Sequence, residues 1–231
     1  MKSRTLVFLI ILTLVNSFAF GQTEINQYDS DGKRDGLWRK NFDETNQPRY
    51  EGEFRHGKEI GIFKFYKLVD NKSVLSATKE FNLADNAALV KFFSSTGKLI
   101  SEGKMVDKAF VGKWVYYHNK TNAVMTVENY NNQGQLNGER LVYYENGQMA
   151  EKANYVNGKK EGLSVWYADN GKVLKELMYK NDELNGRSKA YDVKGELAAE
   201  GEYRNGRQFG QWKYYTDGKL TKEKTFDPHK Q

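Results

Sequence analysis

The sequence predicts an all-β fold, an elongated antiparallel meander of about eight β-hairpin repeats after an N-terminal signal peptide. Three observations support this prediction. A glycine recurs with a period of about 24 residues, and an aromatic side chain follows it five residues later in most copies. Asn-Gly and related turn signals lie between short alternating segments, which is typical of β-hairpins. After the first 21 residues, no apolar pattern has the period of a helix.

Residues 1–21 have the composition of a secretory signal peptide. Lys2 and Arg4 make a basic start, residues 6–15 are almost entirely apolar, and small residues precede Gln22. The apolar run is shorter than the ~20 residues that span a membrane. We therefore expect cleavage before Gln22 and export of the mature chain to the periplasm, the cell surface or the medium of a bacterium.

The composition of the chain excludes several classes of protein. The 231 residues include no cysteine, which excludes a disulfide framework, a thiolate zinc site and a cysteine nucleophile. Removing Lys2 and Arg4 with the signal peptide leaves 34 basic and 30 acidic residues, a net charge of +4. Because these charges are spread evenly rather than concentrated in one run, we expect no nucleic-acid partner.

Two columns of residues define the repeat. Each copy begins with a small residue, and the eight starts are Gly36, Gly61, Ala87, Gly112, Gly138, Gly162, Gly186 and Gly210. Each copy closes with a large apolar residue, and this column reads Phe54, Phe81, Met105, Tyr130, Tyr155, Tyr179, Tyr203 and Phe226. A period of this length indicates an array in which each unit contacts its neighbours. The predicted repeat domain covers 36–227, after a lead-in at 22–35 and before a tail at 228–231.

One stretch departs from this pattern. Ala87 replaces the glycine at the start of the third copy. Residues 67–86, just before it, are longer than the corresponding part of other copies and lack clear hairpin signals. The strand pairing of this stretch is therefore left open by the sequence.

The aromatic side chains are the candidate binding residues. Side chains alternate along a strand, so the residues at offsets two and four from each repeat glycine share one face. This face carries the six candidates, which are Trp38, Trp114, Trp166, Trp212, Tyr116 and Tyr214. Tryptophan and tyrosine are enriched at interfaces, and a single-layer sheet cannot bury both of its faces. The alternative is that these rings cover one another, or form an inner face where the sheet curls.

Neither the recurring glutamates nor the histidines predict catalysis or metal binding. A glutamate lies three residues before the closing residue in five copies, at Glu51, Glu102, Glu176, Glu200 and Glu223. A catalytic carboxylate pair occurs once in an active site, whereas a repeated glutamate serves more simply as a partner for the repeated lysine and arginine. His56, His118 and His229 lack metal-ligand spacing. We therefore expect no enzyme activity, no metal and no other cofactor.

Several segments resemble a known repeat. Residues 51–57, which read Glu-Gly-Glu-Phe-Arg-His-Gly, and residues 200–212, which begin Glu-Gly-Glu-Tyr-Arg-Asn-Gly, resemble MORN repeats. Residues 137–147 and 161–171 are more similar to the bacterial variant of that repeat, which occurs in YwqK-type antitoxins. The resemblance covers about residues 30–227 and implies an elongated sheet of hairpins used as a binding scaffold. It also implies neutralisation of a partner toxin, and MORN repeats elsewhere are linked to membrane lipids and to protein assembly.

These features together predict an exported, non-enzymatic scaffold for protein–protein interaction. Its partner would contact the aromatic residues or add a strand at an open edge of the sheet. Two alternatives stay open, an antitoxin-like neutraliser of a toxin and a binder of envelope lipid or glycan. Self-association through a sheet edge is also open.

The signal peptide gives a direct prediction. Expression of the full chain in a bacterium should yield an exported product that begins at Gln22, because signal peptidase removes residues 1–21. Intact-mass measurement of the envelope and medium fractions locates the cleavage site. Replacing Leu9 and Leu12 with arginine interrupts the apolar run and should leave the uncleaved precursor inside the cell. An exported wild-type chain that still carries residues 1–21 would contradict the prediction.

Overall fold

The computed structural model describes residues 24–227, which form one open antiparallel sheet of 18 strands that follow one another in chain order. The predicted all-β meander is therefore confirmed. The strands are β1 Gln27–Tyr28, β2 Arg34–Asn41, β3 Pro48–Arg55, β4 Lys58–Val69, β5 Lys72–Phe81, β6 Ala87–Phe93, β7 Leu99–Val106, β8 Ala109–Tyr117, β9 Val124–Tyr130, β10 Gly138–Tyr143, β11 Met149–Val156, β12 Lys159–Lys160, β13 Gly162–Tyr167, β14 Val173–Lys180, β15 Glu183–Tyr191, β16 Leu197–Arg204, β17 Arg207–Thr216 and β18 Lys219–Phe226. The two-residue β12 and the longer β13 both pair with β11.

Two of the predicted segments lie at the ends of the chain, beyond the residues that form the sheet. The signal peptide at 1–21 and the tail at 228–231 lie outside the described residues. Within residues 24–227, no helix is long and apolar enough to cross a membrane.

Each copy is a β-hairpin in which the repeat glycine lies opposite the closing residue. Gly112 is paired with Tyr130 and Gly210 with Phe226, and the other copies repeat this register. Each hairpin also has a β-bulge between offsets four and five, where the return strand contains one extra residue. A bulge bends its strand and increases the local twist, so the same deformation recurs in every copy.

In several copies, turns with glycine at a positive φ lie at both ends of the hairpin. Both residues of the Asn157-Gly158 turn have positive φ, at 50° and 85°, as a two-residue type I′ turn requires. At the other end of a hairpin the turn is one residue longer. There Gly147 has a φ of 82°, and its N–H donates to the Tyr144 carbonyl oxygen over 2.9 Å. Glycine enters this left-handed region without steric cost.

The third copy begins one residue later than the period predicts. Ala88 is paired with Met105, the closing residue, whereas Ala87 is paired with Val106. The bulge of this hairpin follows Phe92, four residues after Ala88. The start predicted at Ala87 therefore moves to Ala88. The period is displaced because the hairpin of the second copy is longer, since Gly61 and its partner Phe81 are 20 residues apart and Gly36 and Phe54 are 18 apart.

Residues 67–86, whose pairing the sequence leaves open, contain an extended hairpin followed by a loop. β4 and β5 stay paired as far as a two-residue turn at Asp70 and Asn71, which have φ values of 48° and 60°. Aspartate and asparagine tolerate this conformation because their short polar side chains bond locally. Residues 82–86 then form the loop that leads into β6.

Neighbouring copies are joined where an aromatic ring of one copy lies on a glycine of the copy before it. Trp114, at offset two of the fourth copy, packs so closely on Gly103 that a Cβ there would lie 2.4 Å from the ring. Two further pairs share this geometry, Phe63 on Gly52 and Trp212 on Gly201. Only glycine leaves room for these rings, because any other residue places a methylene or methyl group inside them.

Trp114 is also the centre of the core. Its side chain is fully buried among Ala88, Val90 and Met105, and its ring stacks on Phe110 with centroids 3.8 Å apart. These side chains lie on the face that holds offsets two and four of each first strand, together with the closing residues. We call this side of the sheet the aromatic face, and the side that holds the odd offsets the opposite face.

The fifth, sixth and seventh copies have no ring at offset two. They have Arg140, Ser164 and Ser188 there instead. The residues that face them are larger than glycine, since Leu177 is paired with Ser188 and Glu128 forms an ion pair with Arg140 over 3.0 Å. Leu177 opposite Ser188 thus reverses the order of large and small found for Trp114 on Gly103, and Arg140 is matched by charge.

The contact of Trp114 with Gly103 predicts a stability change. We expect Gly103→Ala to lower the free energy of unfolding by about 1–3 kcal/mol, the usual cost of overpacking a core. Urea unfolding followed by tryptophan fluorescence measures the change. Equal stability of this variant and the wild type would contradict the close contact.

Ser188→Ala is the matched control for this substitution. Ser188 is buried, and its hydroxyl has no hydrogen-bond partner among the described residues. Removing an unsatisfied buried hydroxyl should leave the stability unchanged or raise it. If Gly103→Ala lowers the stability and Ser188→Ala does not, the loss comes from steric overlap at Gly103. A loss in both variants would indicate that the aromatic face is sensitive to any substitution.

Candidate functional site

Two of the six predicted binding residues lie in the core and not at the surface. Trp114 has no exposed area, and Trp212 is 5% exposed. Their indole N–H groups are also used, since they donate to the main-chain carbonyl oxygens of Lys104 over 2.9 Å and of Glu202 over 3.0 Å. A partner cannot reach these rings without opening the sheet. Their predicted role as surface anchors is therefore replaced by the alternative, in which the rings pack within the sheet.

Trp38 and Trp166 are half-buried and lie in distant copies. Trp38, in the first copy, has the guanidinium carbon of Arg34 4.8 Å from its ring centroid. Trp166, in the sixth copy, has the ammonium groups of Lys160 and Lys175 4.9 and 4.6 Å from its centroid. Cations attracted to the ring faces in this way leave less of each ring open to a partner.

Tyr116 and Tyr214, both at offset four, are also half-buried. Each ring centroid lies 6.4 Å from that of the tryptophan on its own strand. Burial raises the pKa of Tyr116, so its hydroxyl stays neutral. The six predicted residues are spread over the first, fourth, sixth and eighth copies, and the structure does not bring them together in one site.

A charged network that the repeat pattern does not predict lies on the aromatic face of the middle copies. Arg140 donates from Nε to Glu128 Oε1 over 3.0 Å and from Nη1 to Glu151 Oε2 over 2.9 Å. Lys160 donates to the other oxygen of Glu151 over 2.7 Å, and the Tyr130 hydroxyl donates to Glu128 Oε2 over 2.6 Å. We call these five residues the Arg140 network.

The charges of the Arg140 network are paired and largely covered by the protein. Its four charged side chains are between 14% and 25% exposed. Burial opposes the charge of Arg140, but the hydrogen bond to Glu128 and the charge of Glu151 outweigh it and raise the pKa of Arg140. Burial and the bond to Glu128 also raise the pKa of Tyr130. Fixed protonation states and satisfied hydrogen bonds are the properties of a cross-link between copies, not of a general acid or base.

On the opposite face, a glutamate of one copy accepts a hydrogen bond from a tyrosine of the next copy. The Tyr117 hydroxyl donates to Glu102 over 2.6 Å, and Lys91 lies 3.2 Å from the other oxygen of Glu102. Two further bonds repeat this geometry, from Tyr66 to Glu51 over 2.6 Å and from Tyr215 to Glu200 over 2.8 Å. These recurring glutamates therefore have the structural role that the sequence predicts, with the offset-five tyrosine as a further partner besides lysine.

The dipeptide Glu102-Gly103 contacts the next copy on both faces of the sheet. Glu102 and Gly103 are adjacent, so Glu102 receives Tyr117 on the opposite face while Gly103 receives Trp114 on the aromatic face. The hydrogen bond to Tyr117 lowers the pKa of Glu102, and the same bond, with burial, raises the pKa of Tyr117 to about 12. At neutral pH, Glu102 is therefore ionised and Tyr117 keeps its proton.

The two described histidines have hydrogen-bonding roles. His56 Nδ1 lies 2.8 Å from Asp29 Oδ2, and the His56 main-chain N–H donates to Asp35 over 3.0 Å. These three residues could each offer one ligand atom to a cation, but their hydrogen bonds already account for the arrangement, and the bond to His56 lowers the pKa of Asp29. His118 Nε2 donates to a main-chain carbonyl oxygen of the next copy over 3.0 Å. His229 lies outside the described residues.

A row of exposed aliphatic side chains crosses the opposite face of the first three copies. Leu37, Ile62 and Leu89 all occupy offset one, and they are 45%, 58% and 58% exposed. In the later copies this offset holds a polar residue except at Leu163. Successive members are two strands apart, which places them about 10 Å from one another. We call Leu37, Ile62 and Leu89 the apolar row.

Carboxylates lie between the members of the apolar row. Glu80 is the cross-strand partner of both Ile62 and Leu89, and Glu53 is the partner of Leu37. Neither carboxylate has an ion-pair partner in the part of the chain that the structure describes. The same residues line two adjoining shallow depressions of the sheet surface. Lysines line the same depressions, and Lys104 is the other cross-strand partner of Leu89. This surface therefore combines apolar groups with carboxylates and lysines.

Comparison with known proteins gives one family. Residues 136–157 and 160–181 match the model of a family described as MORN repeat variant. These segments contain the hairpins of the fifth and sixth copies, whose register is the one found in the other copies. No curated protein sequence matches the chain.

The bond between Tyr117 and Glu102 predicts a pH-dependent stability change. The pKa of Glu102 is lowered in the folded chain, so its contribution is present above the unfolded-state pKa of glutamate and is lost as the pH falls through the folded pKa. We expect Tyr117→Phe to lower the free energy of unfolding by about 1 kcal/mol at pH 7. The difference from the wild type should shrink as the pH approaches 3. Urea unfolding at both pH values measures it.

Tyr143→Phe is the matched control for this variant. Tyr143 holds offset five in the fifth copy, and its hydroxyl has no hydrogen-bond partner within residues 24–227. This control should have the stability of the wild type at both pH values. If Tyr117→Phe lost the same stability at pH 3 as at pH 7, the effect would come from packing and not from Glu102.

Proposed function

Because this chain is a MORN-repeat variant protein, we propose that it is an exported, non-enzymatic scaffold that binds a protein partner through the apolar row. The observation that carries this proposal is the exposure of Leu37, Ile62 and Leu89 in one row across a sheet face, with Glu53 and Glu80 between them. Exposed apolar patches that polar residues surround are typical of interaction surfaces.

The apolar row supports binding better than the aromatic face does. On the aromatic face, Trp114 and Trp212 are buried, and lysines of the same chain lie over Trp166. About half of each side chain in the apolar row is open to solvent. A partner that covers the row would remove apolar surface from water, which is the main favourable term in association.

The carboxylates within the apolar row favour a partner that carries basic side chains. Glu53 and Glu80 are not ion-paired among the described residues, whereas Glu51 and Glu102 nearby are bound to lysine and tyrosine. Unpaired carboxylates therefore lie beside Leu37 and Ile62, and Leu89 lies between Glu80 and Lys104. A complementary surface would carry aliphatic side chains with lysine or arginine next to them.

Two observations support the remaining parts of the proposal. The Arg140 network and the Glu–Tyr pairs bind titratable groups to one another across copies, which favours a structural rather than a catalytic use of these groups. Lys2 and Arg4, followed by the apolar residues 6–15, support export.

The test compares a variant of the apolar row with a variant of the same chemistry elsewhere. Ile62→Asn/Leu89→Asn removes two exposed members of the row. Leu163→Asn is the matched control, because Leu163 holds the same offset in the sixth copy and is 48% exposed. Each tagged chain is cross-linked in cells of its own species, purified from envelope and medium, and quantified by mass spectrometry. We expect one protein to fall about tenfold or more with the row variant, since each interface hot spot contributes more than ~1 kcal/mol.

A charge variant and a lipid assay complete the test. Glu80→Lys should reduce recovery of the same protein, because it places a positive charge against the basic partner surface. Equal recovery with the row variant and the Leu163 control would contradict the proposal. It would also be contradicted if the row were required only for flotation with phosphatidylethanolamine–phosphatidylglycerol vesicles, since the ligand would then be lipid.

A further inference from the structure

The first edge of the sheet is covered by its own chain. Residues 24–28 run along β2 and bind its outward-facing main chain. The Asn26 N–H donates to the Leu37 carbonyl oxygen over 2.8 Å, and the Asn26 side-chain oxygen accepts the N–H of Arg39 over 2.8 Å. Asn26 has a φ of 64°, a left-handed conformation that asparagine tolerates. One residue thus satisfies two groups that a further strand would otherwise bind.

The last edge has no equivalent cover in the described part of the chain. β18 pairs with β17 along its length, and no strand within residues 24–227 pairs with its other side. Its first seven residues are all exposed. An edge strand of this length presents alternate main-chain N–H and C=O groups that can bind another strand.

The side chains of β18 give this edge a positive charge. The strand has Lys219, Lys222 and Lys224 against Glu223 alone. Lys222 and Lys224 lie on the aromatic face, because their cross-strand partners on β17 belong to that face. None of the three lysines has an ion-pair partner among residues 24–227. Their charge is therefore available to a strand that docks beside them.

The same charges disfavour pairing between two copies of this edge. A twofold dimer places opposite residues on the same face, which limits the allowed registers. Of the two longest registers, one sets Lys222 opposite Lys222. The other sets Lys222 opposite Lys224 and Glu223 opposite Glu223. Like charges directly opposite one another are destabilising, so a second copy is a poor occupant of the edge.

We propose that β18 binds an extended acidic segment of a partner protein, which adds to the sheet as its next strand. Main-chain hydrogen bonds supply affinity, and alternate side chains supply specificity. Aspartate or glutamate at every second position of the segment lies beside Lys222 and Lys224. The ring of Phe226, whose centroid is 4.4 Å from the Lys224 ammonium, helps to hold that ammonium at the edge.

This edge belongs to the eighth copy, whereas the apolar row belongs to the first three. The two proposals therefore rest on different residues and can fail separately. Ile62→Asn/Leu89→Asn should leave binding at β18 unchanged.

The test uses a phage-displayed library of random 12-residue peptides selected against the mature chain. We expect enriched peptides with acidic residues at alternate positions. The most enriched peptide is then synthesised and titrated by fluorescence anisotropy. Lys222→Glu/Lys224→Glu should weaken its binding at least tenfold, and Lys222→Gln/Lys224→Gln should have an intermediate effect. Hydrogen exchange of the β18 amides should slow when the peptide is bound.

The matched control is Lys104→Glu/Lys113→Glu, which changes the net charge equally on the interior strands β7 and β8. Both lysines are exposed, so this variant should fold and bind the peptide as the wild type does. An equal loss in the control would indicate attraction by net charge alone and would overturn the proposal. Enrichment without alternate acidic residues, no enrichment, or exchange protection confined to strands other than β18 would also overturn it.

Discussion

The contact between a return-strand glycine and an aromatic ring of the next copy determines how successive hairpins join. At Gly103 the Trp114 ring occupies the space that a Cβ would fill, while the adjacent Glu102 binds the Tyr117 hydroxyl on the other face. A slip of one residue would turn every side chain of the strand to the wrong face and would break both contacts at once. The register of the meander therefore depends on a Glu-Gly dipeptide and on two aromatic residues spaced to meet it.

The middle copies are joined by charge instead of shape. Arg140 takes the position of the ring and binds Glu128 and Glu151, which belong to different strands on either side of it. Removing one member of a partly buried ion network leaves its partner charge uncompensated, which is strongly unfavourable. Correct pairing of these copies is therefore favoured by electrostatics. The sheet has a uniform backbone but two chemically distinct kinds of contact between copies.

The hairpin period could be predicted from the sequence because its signals are local, a turn glycine and an aromatic residue a few positions later. The burial of Trp114 could not be predicted from its own strand, because Gly103 of the preceding copy creates the space. The Arg140 network occurs once, so a search for repeated residues does not reveal it. The one-residue error in the third copy had a further consequence. Starting that copy at Ala88 moves Leu89 from the aromatic face to the opposite face, where it aligns with the rest of the apolar row.

Packing decides which surfaces remain for partners. The aromatic face supplies the core of a single-layer sheet, so its largest rings are used within the chain. The surfaces left open include the opposite face of the first copies and the outer side of β18. They differ in composition, since apolar side chains with both carboxylates and Lys104 form the first, whereas three lysines and one glutamate lie along β18. Because each copy of a repeat array contacts only its neighbours, the intervening copies keep these surfaces apart. Partners bound as proposed to the apolar row and to β18 would therefore lie at separate places on one sheet.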